Sequence, residues 1–179
     1  MKTISKLFAG LVLASAVALV ATLAPATAGT HGHDRSHGHA VYYGPKWYHH
    51  TIHSRASARH YLPGASRGFQ HYAAHQGAKL RRAAIRSGAS HTCVQRSGVQ
   101  VQRFQTRGFA YGAIGGCGGA IALWKRIDGH WRHIVVTQDV IYCSTLRTYA
   151  VPASVVRNGT RHATCFNRQQ NAEVRYRHG

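Results

Sequence analysis

The sequence predicts an α+β fold, in which a small antiparallel β-meander of about four strands is packed by an N-terminal helix and short C-terminal helices. Three observations support this class. A basic pattern with helical spacing comes first, strand-like alternation with turn signals follows it, and four cysteines stand in the C-terminal half. A histidine-rich segment without a sustained pattern precedes the domain and is expected to be disordered.

The predicted N-terminal helix runs from about Gly68 to Gly88. Its apolar residues recur every three to four positions, while Lys79 and the arginines fall mostly on other faces. Ser87-Gly88 is a typical helix stop. We expect the apolar stripe to pack on a core, although a basic amphipathic helix is also able to lie on a membrane or a nucleic acid. The stripe consists of Phe69, Tyr72, Ala73, Leu80, Ala83 and Ala84.

The strand region begins with the alternating segment Val99–Phe104 and continues with an apolar run from Phe109 to Ile114. The clearest local signal is Asp128-Gly129, which separates IALWKRI from HWRHIVV and predicts a two-residue β-hairpin. The predicted register pairs Ile127 with His130, Trp124 with His133 and Leu123 with Ile134.

This register gives the two faces of the hairpin different roles. The aliphatic face is expected to form the core. The opposite face is amphipathic and predicts either a platform that stacks on sugars or bases, or cation–π packing beneath the tail or the helices. The predicted core face comprises Ile121, Leu123, Ile127, Ile134 and Val136, and the amphipathic face comprises Trp124, Arg126, Trp131 and His133.

After Asp139 the chain predicts two short helices separated by Val151-Pro152, because proline suits a first helical turn. The predicted organisation then has four parts. Residues 1–28 form a signal peptide, 29–66 a flexible His/Gly/Tyr-rich tail, 67–167 a disulfide-stapled α+β domain and 168–179 a polar tail. The N-terminal tail is assigned by composition, since a segment with few aliphatic residues buries too little apolar surface to offset its chain entropy.

The first residues follow the order of a secretory signal. Lys2 and Lys6 form a positive region, an apolar run extends from Leu7 to Leu23, and Pro25 precedes the small-x-small sequence Ala26-Thr27-Ala28. An uncleaved anchor is the alternative, but the apolar run is at the lower limit for spanning a bilayer. No later segment of the sequence is apolar enough to cross a membrane. We therefore expect cleavage near Ala28 and a secreted or periplasmic protein.

The four cysteines predict two disulfides, because an even number in an exported chain is typical of an oxidised framework. The sequence has no C-x-x-C pair, which argues against a zinc knuckle. Three pairings are possible, and we favour the one that closes two short loops of similar length. It joins Cys93 to Cys117 and Cys143 to Cys165.

The chain has 23 Lys and Arg residues against 4 Asp and Glu, and a formal net charge of +19 at pH 7. Such a charge attracts anionic polymers at long range, and salt weakens the attraction. The 15 histidines add positive charge as the medium becomes acidic. Cell-wall polymers, nucleic acid and lipid head groups are the anionic partners that this composition favours.

The carboxylates are too few and too scattered for a paired-carboxylate glycosidase site, a two-metal phosphoryl site or a calcium loop. Nucleophile-elbow, phosphate-loop and dinucleotide motifs are also missing from the sequence.

The segment Ser90–Arg96 resembles the nucleophile motif of the L,D-transpeptidases of bacterial cell walls, which implies a nucleophilic role for Cys93. That family has glycine where this chain has Thr92, and its upstream His-Gly motif has no counterpart at suitable spacing. We predict a protein that is not an enzyme, with a cysteine-based cell-wall enzyme as the remote alternative.

Cleavage after Ala28 makes Gly29-Thr30-His31 the new amino terminus. The free amine, two backbone amides and the His31 imidazole supply four nitrogens in one plane, the arrangement that Cu(II) and Ni(II) prefer. His33, His37 and His39 follow and are candidates for looser binding of a second ion, including Zn(II). No cofactor is required. The leading hypothesis is an exported, non-catalytic protein that binds divalent metals, and the alternative is a cationic binding module for anionic polymers.

Overall fold

The computed structural model describes residues 40–157 and 162–178. The chain enters through a short strand and a 3-10 turn, passes through three helices into a four-strand meander, and ends with two short helices and a hairpin. The elements are β1 (Ala40–Tyr42), the 3-10 turn Trp47–His49, α1 (Arg55–Tyr61), α2 (Arg67–Arg86), α3 (His91–Arg96), β2 (Gly98–Gln105), β3 (Phe109–Gly115), β4 (Ala120–Ile127), β5 (His130–Thr137), α4 (Cys143–Thr148), α5 (Ala153–Val156), β6 (Thr164–Asn167) and β7 (Ala172–Arg175).

Five strands form one antiparallel sheet in the order β1-β2-β3-β4-β5, and β6 pairs with β7 in a separate two-stranded sheet. The β4–β5 hairpin turns at Asp128 and Gly129, whose φ angles of 50° and 80° are those of a type I′ turn. A bulge in this pair places Leu123 opposite Val135 rather than opposite the predicted Ile134.

Both faces of the five-stranded sheet are covered. On one face the sheet packs against α1 and α2, and the core there includes Phe69, Phe104 and Trp124. On the other face α4, α5 and the β6–β7 hairpin enclose a second core around Leu123 and Leu146. Neighbouring residues of one strand therefore enter different cores, as Leu123 and Trp124 do, because successive side chains point to opposite faces of a sheet.

Serine side chains begin the two helices on the first face. Ser54 Oγ accepts from the Ser57 N–H at 3.1 Å, and the Ser57 hydroxyl accepts from the Ser54 N–H at 3.0 Å, which completes a capping box at α1. Ser66 Oγ accepts from the Phe69 N–H at 3.2 Å at the start of α2. These caps satisfy first-turn amides in two helices whose first turns contain no acidic residue.

The α+β class, the N-terminal helix and the central hairpin are confirmed. The helix predicted from Gly68 to Gly88 is α2, and α4 and α5 lie on either side of Val151-Pro152. The predicted meander of about four strands is β2–β5, and the chain before α1 adds β1 to its edge, so the sheet has five strands. The disulfides have the favoured pairing, Cys93–Cys117 and Cys143–Cys165.

The predicted flexible tail over 29–66 is wrong for residues 40–66, which belong to the fold. β1 pairs with β2, and Ile52 forms a bridge with Val99 through two backbone hydrogen bonds of 2.8 and 3.0 Å. Ile52, Ala58 and Leu62 are fully or almost fully buried. The composition of this segment did not predict its folding, because a few apolar side chains are enough to hold a segment in place when other elements supply the rest of the core. Residues 29–39 lie outside the described residues.

The predictions for the two hairpin faces hold in part. On the aliphatic face, Leu123 is fully buried in the second core and Ile134 packs against that core, as predicted. Val136, predicted to lie in the core, is 50% exposed. On the other face, Trp124 is fully buried and Trp131 is 9% exposed, both in the core beneath α2, so they form no ligand platform. The alternative, packing beneath the helices, is what the structure shows, with the ring centroids of Trp131 and Phe69 4.6 Å apart.

The predicted polar tail over 168–179 is wrong for much of its length. Residues Ala172–Arg175 form β7, which pairs with β6. Tyr176 is buried in the second core, and its hydroxyl donates to the Val151 carbonyl oxygen at 2.7 Å. The segment is polar because most of its side chains face solvent, while Val174 and Tyr176 pack on the second core.

Candidate anion-binding surface

The exposed face of α2 carries a row of basic side chains. All six are exposed, and they follow one another at intervals of three or four residues, which places them on one face of the helix. The 20 residues of α2 extend over about 30 Å at 1.5 Å per residue, and none of them is acidic. We call this row the α2 stripe, and it consists of Arg67, His71, His75, Lys79, Arg82 and Arg86.

The opposite face of α2 holds the stripe toward solvent. Phe69 and Ala73 are completely buried in the first core. Gly77 lies against the backbone at Ile52, and a Cβ at this position would fall on the Ile52 carbonyl oxygen and 2.8 Å from the carbonyl carbon. Only glycine permits so close an approach without a backbone shift. Because this face is fixed in the core, the stripe has one orientation.

A cleft of about 320 Å³ opens between α1 and α2 at the N-terminal end of the stripe. Arg55 and Arg59 contribute to it from successive turns of α1, and Arg67 and His71 from the first two turns of α2. Among the described residues, the three guanidinium groups have no ion-pair or hydrogen-bond partner. We call this the arginine cleft, defined by Arg55, Arg59, Arg67 and His71.

The two helices that form the arginine cleft are tied together at their connection. Gln70 Nε2 donates to the Leu62 carbonyl oxygen at 3.0 Å and to the Ala65 carbonyl oxygen at 3.3 Å. The connection turns at Gly64, which has a φ of 82°, and the Ala65 N–H donates to the Leu62 carbonyl oxygen at 3.2 Å. The walls of the cleft are therefore held in place by the protein itself.

Acidic side chains are segregated from this surface. The sequence has no Asp or Glu between Asp34 and Asp128, a stretch that includes α1, α2 and α3. Asp139 and Glu173 line a different cleft, of about 220 Å³, on the side of the second core. Among the residues that the structure describes, no carboxylate lines the arginine cleft. Its cations repel one another, which favours the entry of an anion.

A small, partly buried polar cluster lies beneath α2. The Tyr72 hydroxyl lies 3.3 Å from His133 Nδ1. Burial raises the pKa of Tyr72 to about 12 against a smaller opposing effect of the Trp124 indole, and burial lowers the pKa of His133. Within the described part of the chain, Trp124 Nε1 and His133 Nε2 have no hydrogen-bond partner of standard geometry. The cluster is neutral near pH 7 and adds no charge beneath the stripe.

The predicted metal ligands precede the first described residue, Ala40. Over residues 40–157 and 162–178, no three His, Cys, Asp or Glu side chains come together as metal ligands do. The metal hypothesis therefore stays a prediction about the tail. Its residues are Gly29, Thr30, His31, His33, His37 and His39.

All four predicted cysteines are bonded in pairs and none is free. Cys93 lies in α3, and its partner Cys117 lies in the turn between β3 and β4. A disulfide sulfur is not a thiolate, so Cys93 lacks the chemical form that the resemblance to L,D-transpeptidases implies. The site that the structure does assemble, the arginine cleft, uses no cysteine.

Arg55 and Arg59 were not among the predicted site residues, because both fall in the segment whose composition predicts a flexible tail. A local pattern there favours a helix: Ser54 is spaced three residues from Ser57, and the two arginines are spaced by four. The basic residues of α2 were recognised only as lying away from the apolar stripe. Their alignment into one exposed row needed the helix bounds.

Comparison with protein-family models, with curated proteins and with solved structures finds no match to this chain. Among the residues that the structure describes, no helix combines the length and the apolar character needed to cross a bilayer.

Proposed function

We propose that this protein is an exported, non-catalytic binding protein for anionic polymers, and that the α2 stripe and the arginine cleft form its binding surface. The observation that carries the proposal is the row of six exposed basic side chains on one face of a fixed 20-residue helix. A row about 30 Å long is able to contact several charges of a polyanion at once. Binding of this kind needs no catalytic group.

Export is supported by two features. The order of residues 1–28 is typical of a secretory signal, and the two disulfides are typical of proteins that fold in an oxidising compartment. A secreted or periplasmic protein meets anionic polymers at the cell surface.

The histidine content of the chain also bears on the proposed binding. The sequence has 15 histidines, and histidine is the residue type that gains positive charge as the pH falls from about 7.5 to 5.5. The net charge of the chain therefore becomes more positive in acid, and binding to a polyanion should be stronger there.

The test compares two variants that lose the same charge. One removes the C-terminal half of the stripe (Lys79→Gln, Arg82→Gln and Arg86→Gln). The matched control removes three exposed arginines outside α1 and α2 (Arg132→Gln, Arg175→Gln and Arg177→Gln).

The measurement is affinity for a 20-base-pair DNA duplex and for heparin as salt rises from 50 to 200 mM. The affinity of the wild-type protein should fall steeply, because bound cations release counterions from the polymer. If each lost cation had contacted a phosphate, the stripe variant should reduce the log–log salt slope for DNA by about 2 to 3. The control should reduce it by less than about 1. Equal effects of the two variants would contradict the assignment of binding to the stripe.

Metal uptake by the N-terminal segment is a second proposal, supported by the order Gly29-Thr30-His31 after the predicted cleavage site. Deleting residues 29–39 from the mature protein separates the two functions. Metal binding should vanish, while salt-sensitive polymer binding should survive in the folded domain. The deletion stops at residue 39 because β1 begins at Ala40.

A further inference from the structure

We infer that the arginine cleft is a discrete site for one phosphoryl group, such as the phosphate monoester at the end of a polymer. This inference rests on the proposed function and deepens it. The α2 stripe attracts any polyanion, whereas the cleft adds a preference for phosphate that the stripe by itself does not supply.

The cations that line the cleft are mainly arginines, and arginine suits a phosphoryl group. Arg55, Arg59 and Arg67 each present a planar fork of N–H donors, and arginine binds phosphate and carboxylate through two parallel hydrogen bonds. A carboxylate has two oxygens and is satisfied by one such fork. A terminal phosphoryl group has three free oxygens and up to two negative charges, so it is able to engage several forks at once. Three arginines around one opening therefore match a phosphoryl group better than a carboxylate.

The size of the opening also fits one phosphoryl group. At about 320 Å³ the cleft is at the lower end of the range for small-molecule sites, roughly 300–1,000 Å³. It has room for a phosphoryl group together with part of the residue that carries it. The phosphorylated end of a polymer is a ligand of this kind, a phosphoryl group attached to one terminal residue.

The protein backbone adds positive potential at the cleft beyond that of the side chains. Arg67 is the first residue of α2, and the N-terminal end of a 20-residue helix carries partial positive charge. The first turn of α2 has no acidic residue to offset it. The Gln70 hydrogen bonds to Leu62 and Ala65 hold the two walls in position. Little ordering is then required when the ligand binds.

The experiment uses a single-stranded dT oligonucleotide of ten nucleotides with either a 5′-phosphate or a 5′-hydroxyl. We expect the wild-type protein to bind the phosphorylated form about five to ten times more tightly in 150 mM salt. The cleft variant Arg55→Gln/Arg59→Gln should bind both forms equally. The matched stripe variant Arg82→Gln/Arg86→Gln loses the same charge and should bind both forms more weakly while keeping their ratio. Circular dichroism confirms that each variant is folded.

Inorganic phosphate distinguishes the source of the phosphoryl group. Added at constant ionic strength, it should remove the preference for the 5′-phosphate without displacing the oligonucleotide chain. It should also raise the Tm of the wild-type protein more than that of the cleft variant. Saturation by inorganic phosphate at micromolar concentration would identify the free ion as the cleft's ligand.

Other results would overturn the inference. Equal binding of the two oligonucleotides by the wild-type protein would do so, as would a preference that survives Arg55→Gln/Arg59→Gln or excess inorganic phosphate. Failure of the broader proposal has a different signature. If neither oligonucleotide bound and phosphate still raised the Tm through Arg55 and Arg59, the cleft would stand while the polymer function fell.

Discussion

Replacing Gly77 by alanine tests the packing that positions the binding surface. In an exposed helix interior this change stabilises a protein by about 1 kcal/mol, because alanine is the better helix former. Here the new Cβ would fall on the Ile52 carbonyl oxygen, 2.8 Å from the carbonyl carbon and 3.0 Å from His53 Cα. All three are backbone atoms, so no side-chain rotation relieves the overlap.

The magnitude follows from what must move. The Ile52 carbonyl oxygen is fixed by a 3.0 Å hydrogen bond from the Val99 N–H. Overpacking of a core contact costs about 1–3 kcal/mol, and losing this hydrogen bond adds about 1 kcal/mol. After the helix-forming gain of about 1 kcal/mol is subtracted, the free energy of unfolding should fall by about 1–3 kcal/mol. A domain of this size loses about 3–4 °C in Tm for each kcal/mol, so the expected fall is about 3–12 °C.

Gly68→Ala in the same helix is the matched control. There the nearest atom to the new Cβ is Trp131 Nε1 at 3.8 Å, which is an ordinary van der Waals contact. Thermal unfolding followed by circular dichroism should give an unchanged or higher Tm for Gly68→Ala and a lower one for Gly77→Ala. A Tm for Gly77→Ala at or above that of the wild-type protein would refute the reasoning.

Three further predictions concern charge, redox state and metal. Burial lowers the pKa of His133 in the folded protein, so the unfolded chain binds more protons as the pH falls below about 6.5, and the stability of the fold should drop there. The variant His133→Gln should therefore lose less Tm than the wild-type protein between pH 7.5 and 5.5. An equal loss of Tm in both proteins would argue against His133 as the origin of the effect. Alkylation of the unreduced, denatured protein should label none of the four cysteines, whereas labelling at Cys93 would reopen the enzyme alternative. His31→Ala should abolish tight Cu(II) binding by mature protein that begins at Gly29, and a copper absorption band that persists would exclude this site.

The sequence was most informative where one residue pattern has one structural solution. The period of α2 and the Asp128-Gly129 turn predicted a helix and a hairpin within a residue or two. The burial of each face of the β4–β5 hairpin was not predictable in the same way. Leu123 and Trp124 are neighbours on β4 and point to opposite faces, and recognising that both are buried requires knowing that other elements cover both faces of the sheet.

The binding surface was only partly predictable for a related reason. The net charge and the basic residues of the helix were evident, and they led to anionic partners as an alternative function. The arginine cleft was missed because it depends on α1, whose sequence has low aliphatic content. What holds α1 in the fold is tertiary: Ile52 pairs with Val99 and packs against Gly77, both far along the chain.

This attachment sets an order of events when the chain is made. Both β1 and Ile52 pair with β2, a strand that is synthesised only after α1, α2 and α3. β1 and Ile52 therefore have no strand partner until β2 emerges, whereas α1 and α2 already contact each other through the hydrogen bonds of Gln70 to Leu62 and Ala65. The attachment of this segment to the sheet is the later, non-local step. If the cleft binds phosphate as proposed, the strength of phosphate binding during refolding would report when this attachment is made.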